Sequence, residues 1–95
     1  MKKLTIYDYT SEKDEHHTLS VEINDNSDLV LEGYDCGQSV KDFFGDFDYE
    51  YWLTVKSENV HEVLLQLIKD RFKSDSEFKH WLEEKDIKYD FFSYI

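Results

Sequence analysis

Catalysis or metal binding in this chain would most readily begin at its four histidines, at positions 16, 17, 61 and 80. His16 and His17 are adjacent, at the end of a polar segment, SEKDEHH, that reads as a solvated loop or a wide hairpin connection. Neighbours on an extended chain point to opposite sides, so the pair converges poorly on one ion. His61 and His80 each lack a second histidine one helical turn away, and His80 beside Trp81 reads as a packing position. Cys36 is the single cysteine. A nucleophilic thiol needs a base or a cation beside it, and its neighbour in YDCGQS is the anion Asp35. The oxygen-rich run NDNSDLVLEGYD, residues 24–35, has Leu29 where a calcium loop needs its glycine and Asp35 where it needs a bidentate Glu. No glycine-rich phosphate loop occurs. Acids are abundant, but abundance alone defines no carboxylate pair for glycoside chemistry. The expectation is a protein that is not an enzyme, with no catalytic, cofactor-binding or metal-ligating residues.

The elements that position the remaining side chains follow from periodicity. KKLTIYDY alternates, with Leu4 and Ile6 inward and Thr5, Tyr7 and Tyr9 outward. TLSVEIN sets Leu19, Val21 and Ile23 against Ser20, Glu22 and Asn24. NDNSD is a turn, because Asn and Asp bond their own backbone. LVLEGY follows, with Leu29 and Leu31 inward and Val30, Glu32 and Tyr34 outward. Val40, Phe43 and Phe44 fit a short helical turn closed by Gly45. DFDYEYWLTV is a strand by its aromatic and β-branched content. Its even positions, Asp48, Glu50, Trp52 and Thr54, share one face, and Tyr49, Tyr51, Leu53 and Val55 the other.

Val60, Val63, Leu64, Leu67, Ile68 and Phe72 then follow helical spacing, with Ser57 or Asn59 as cap. Ser74-x-x-Glu77 is a capping box before a second, shorter helix carrying Phe78, Trp81 and Leu82. The tail IKYDFFSYI reads as one more strand. Strands followed by helices predict an α+β fold: an antiparallel meander of four to five strands with two C-terminal helices packed on one face. Ninety-five residues make one domain, residues 1–95. Seven Phe, seven Tyr and two Trp argue against disorder despite the acidity.

The formal charge is −11 and sits mainly in the first half, where residues 1–50 hold 13 acids against 4 bases. Nucleic acid and anionic membranes are poor partners for such a surface, and a basic protein is a good one. One cysteine, no secretory h-region and no apolar span predict a cytoplasmic protein. With the Leu/Ile/Val face covered by helices, the outward face offers Tyr7, Tyr34 and Trp52 as anchors and Glu22, Glu32, Asp48 and Glu50 as steering charges.

The run LVLEGYDCGQSV…DYEYWLTV, residues 29–55, followed by a Leu-rich helix, resembles a group of small acidic bacterial proteins of unknown function. Glu32-Gly33-x-Asp35-x-Gly37 and Asp48-Tyr49-Glu50-Tyr51 carry that likeness. It implies no catalytic residues. In size and charge the chain also resembles immunity proteins and phage-encoded inhibitors of bacterial defence. That second likeness implies a small binding protein that occupies a basic surface on a toxin, nuclease or defence protein, its carboxylates standing in for phosphates where the partner binds nucleic acid. The alternative expectation is a structural module that forms a homodimer through a C-terminal strand.

Overall fold

The computed structural model describes residues 2–37, 40–42, 45 and 48–94. Two compact units make up the chain, residues 1–60 and 61–95. The fold is α+β: four strands in sequence order, then two helices.

The first unit is an antiparallel meander of β1 (Lys3–Thr10), β2 (His16–Ile23), β3 (Leu29–Cys36) and β4 (Asp48–Val55), with neighbours in chain order. The β2–β3 turn is the one the Asn/Asp chemistry predicts. Asn24 Oδ1 accepts from the amides of Asn26 (2.9 Å) and Asp28 (3.0 Å), while Ser27 takes the left-handed conformation (φ 65°). The β1–β2 connection is tightened by Ser11, whose hydroxyl accepts from the amides of Lys13 and Glu15. This loop closes against Gly37 (φ 136°), where a Cβ would come within 2.6 Å of Glu15 Cγ. Residues 40–42 form a helical turn, and Gly45 (φ 82°) donates its amide to the Lys41 carbonyl at 2.8 Å, as a left-handed cap does. The predicted positions of Phe43 and Phe44 lie outside the described residues.

Pairing of β2, β3 and β4 is continuous, and it places Asp48, Glu50, Trp52 and Thr54 on one face as the alternation predicts. Strand β1 departs from its predicted parity. Leu4 pairs with Val21 and Thr5 with Ser20, but Tyr7 pairs with Leu19, so Ile6 is an extra residue in a β-bulge. The bulge turns the rest of the strand over. Tyr7 and Tyr9 therefore join the Leu/Val face rather than the acidic one, and Asp8 takes a place on the acidic face. Two further expectations are corrected. His16 and His17 belong to a strand, not a loop. Residues 87–94 form no strand, because the last backbone bond of the region, Ile87 amide to Leu82 carbonyl at 2.9 Å, completes a helix end and none from residues 88–94 follows among the described residues. The sheet has four strands.

Burial is modest. Val30 and Val40 are the buried apolar residues among those described, and Leu4 and Leu53 on the edge strands are more than half exposed. Val30 is enclosed although it lies on the acidic face, where the register sets it between Glu22 and Thr54.

Helix α1 (Ser57–Arg71) opens immediately after β4. Its cap comes from far away in sequence: buried Asp28 accepts from the Ser57 amide at 2.8 Å, with Lys56 Nζ 3.8 Å from its other oxygen. Asn59, a candidate cap by sequence, lies inside the first turn and donates its amide to the Lys56 carbonyl. Helix α2 (Asp75–Glu84) has the predicted Ser74 cap, whose hydroxyl accepts from the Glu77 amide at 3.1 Å. Within the second unit Phe72, Phe78 and Trp81 form a ring cluster with centroids 5.0–6.1 Å apart. No residue of either helix is buried. No helix among the described residues is long and apolar enough to cross a membrane.

Candidate functional site

Strand register resolves the acidic face into four rows. Across β1 to β4 they run Lys3–Glu22–Val30–Thr54, Thr5–Ser20–Glu32–Trp52, Asp8–Thr18–Tyr34–Glu50 and Thr10–His16–Cys36–Asp48. Six of the seven residues predicted as partner contacts thus share one surface: Glu22, Glu32, Tyr34, Asp48, Glu50 and Trp52. Tyr7 is the exception, carried to the opposite face by the bulge at Ile6.

The rings on this face are held by its acids. Trp52 is 57 % exposed, and its indole Nε1 donates to Glu32 Oε2 at 3.2 Å. The other oxygen of Glu32 is 3.7 Å from Lys3 Nζ. Tyr34 donates its hydroxyl to Asp48 Oδ1 at 3.0 Å, which pushes its pKa up to about 12, with smaller contributions from burial and the Asp48 charge. His16 Nε2 sits 2.7 Å from Asp8 Oδ1. Each ring is oriented by a carboxylate on a neighbouring strand, so little side-chain freedom is left to lose when a partner covers it.

The opposite face divides into two halves. Leu4, Val21, Leu31 and Leu53 form one apolar row, and Ile23, Leu29 and Val55 extend it. The other half consists of two polar-aromatic rows that sequence reasoning missed: Tyr7–Leu19–Gly33–Tyr51 and Tyr9–His17–Asp35–Tyr49. Gly33 makes this arrangement possible. A Cβ there would stand 2.0 Å from Tyr51 Cζ, so the Tyr51 ring lies directly over the glycine backbone. From that position its hydroxyl bonds to Tyr7 across the two intervening strands, raising the Tyr51 pKa to about 12, with burial and the Asp35 charge adding to the effect. His17 Nδ1 is 2.8 Å from Asp35 Oδ1, the Tyr9 and His17 rings are 5.1 Å apart, and Tyr49 stacks on Tyr51 at 5.2 Å. The available signal was the type of two residues: His17 and Asp35 occupy positions whose parity predicts an apolar side chain.

On the acidic face the register sets the Cys36 thiol directly across from His16, whose Nε2 is held 2.7 Å from Asp8 Oδ1. The His17–Asp35 pair orients an imidazole, but no Ser, Thr or Cys stands with it in either polar-aromatic row. No group of three or more His, Cys, Asp or Glu among the described residues is arranged to hold a metal ion. Comparisons with protein-family models, curated proteins and solved structures gave no match.

Proposed function

We propose that the protein is a small acidic binding protein that recognises a basic surface on another protein through the face carrying Glu22, Glu32, Tyr34, Asp48, Glu50 and Trp52. The observation that carries this reading is Trp52, an indole 57 % exposed and fixed to Glu32, in a field of carboxylates. Exposed Trp and Tyr supply contact area at low entropic cost, and the surplus of acids over bases around them steers a cationic partner into place. Four strands and four rows, with their side chains, span about 700 Å², close to the ~800 Å² one partner contributes to a standard interface. Immunity or anti-defence activity against a toxin, nuclease or other defence protein in the cytoplasm fits this chemistry. Where such a partner binds nucleic acid, the carboxylates take the place of phosphates.

The test uses the chain as bait, followed by binding kinetics with whichever basic protein it retains. Trp52→Ala is expected to speed dissociation about tenfold or more. Glu50→Lys is expected to slow association several-fold at low salt while leaving dissociation nearly unchanged. Retention unaffected by both changes, yet abolished by Tyr49→Ala on the other face, would transfer the interface to the tyrosine rows and remove this proposal.

A further inference from the structure

We infer that the C-terminal segment, residues 89–94, of one copy adds as a strand to the β4 edge of a second copy. In a meander ordered β1-β2-β3-β4, strands β1 and β4 are the edges, with no further strand beside them among the described residues. Natural sheets guard such edges with lysines, prolines and bulges. Strand β1 has two of these devices, the bulge at Ile6 and the lysine at position 3. Strand β4 has none. Its pairing with β3 is unbroken over eight residues, it contains no Lys, Arg or Pro, and Tyr51–Val55 carries no charge. High β-propensity without charge or proline is the composition that accepts another strand.

The tail has the complementary properties. Residues 88–94 make no backbone–backbone hydrogen bond among the described residues. Phe91, Phe92 and Tyr94 are 63 %, 81 % and 93 % exposed, and Phe91 through Tyr94 carry no charge. Charge decides between segments of this chain. The first half would be repelled by Asp48 and Glu50, whereas residues 89–94 carry a single charge, Asp90, with Lys88 two residues before it. An aromatic, proline-free segment whose one charge is Asp90, offered to the uncharged Tyr51–Val55 stretch of an edge strand, suits β-strand addition, in which main-chain bonds supply affinity and alternate side chains the fit. Because both halves of the joint belong to one chain, a second copy satisfies both tails and both edges at once. The inference does not depend on the basic-partner reading, since Trp52→Ala leaves the main-chain bonds of the joint in place.

Light scattering over a dilution series up to roughly 100 μM tests it. The full chain is expected to approach twice its monomer mass, and more readily as salt screens the acids. Deletion of residues 89–95, Phe92→Asp in the exposed tail, and Leu53→Lys on the edge should each return the monomer with an unchanged circular dichroism spectrum. Mixing the deletion variant, which keeps the edge, with Leu53→Lys, which keeps the tail, should restore association through the one intact joint, at lower affinity than the full chain. Phe92→Asp keeps the test decisive if Leu53→Lys disturbs the sheet. A full chain that stays monomeric throughout, including one whose tail folds onto its own sheet, overturns the inference. So does a dimer that survives both tail changes.

Discussion

A tyrosine that donates its hydroxyl hydrogen loses that bond when it ionises, so the bond holds the proton in place. Tyr34 and Tyr51 are both lifted from 10.0 to about 12, and the leading cause differs: the Asp48 carboxylate for Tyr34, the Tyr7 hydroxyl for Tyr51. Tyr89 is raised as well, chiefly by its 2.6 Å bond to Glu83 Oε1. The sign of the stability effect follows from linkage. Tyr34 and Tyr51 bind their protons more tightly in the native state, so their contribution is complete below pH 10, declines above it, and is gone once pH has passed their native values near 12. In an absorbance titration of phenolate, Tyr34, Tyr51 and Tyr89 should ionise late in the folded protein and together with the rest in urea. Tyr34→Phe and Tyr51→Phe should each remove one late group. A folded protein whose seven tyrosines all ionise together near the ordinary pKa of ~10 would show that these hydroxyls are not bonded as described.

At the scale of elements, the joint between strand and helix rests on Asp28. The first amides of a helix have no partner within it, and α1 satisfies the one at Ser57 with a carboxylate 29 residues earlier in the chain. Asp28→Ala would leave that amide unpaired beside a small cavity, at a cost of about 1–3 kcal/mol. Asp28→Asn keeps an acceptor oxygen and should cost less. Urea midpoints rank the two, and amide exchange at residues 57–60 localises the loss. An Asp28→Ala midpoint equal to that of the native chain would show that water caps the helix equally well. This cap also marks a boundary of what the sequence discloses. Strand β2, the Asn24 turn and the faces of β4 were legible because alternation and local hydrogen bonding lie within a few residues. Helix α1 was legible from its apolar spacing, and the Ser74 cap from its position three residues before Glu77. The bulge at Ile6 was not, because one inserted residue leaves the local alternation intact and shows only in pairing with Leu19. Tyr7 therefore had the right chemistry on the wrong face. The tail's β-propensity was equally visible, but propensity supplies no partner strand.

For the whole molecule, 22 acids face 11 bases, so at most half of the carboxylates could be matched by a lysine or arginine even if every base were paired. The Lys–carboxylate contacts at 3.7 and 3.8 Å are exposed at one or both ends, and such pairs contribute about 0–1 kcal/mol each. Net repulsion among acids should then outweigh local attraction, which predicts two salt responses of opposite sign. Raising ionic strength from about 0.01 to about 0.1 M shortens the screening length from about 30 to about 10 Å. Repulsion within the chain weakens, and Tm should rise by roughly 3–6 °C. The same screening weakens attraction to a cationic partner, so association at the Trp52 face should slow over that range while dissociation changes little. Thermal melts and stopped-flow association in matched buffers separate these effects. A Tm that falls with salt would mean that the few ion pairs dominate. An association rate indifferent to salt would mean that the carboxylates around Trp52 do not steer, leaving the indole and Tyr34 to carry recognition by contact alone.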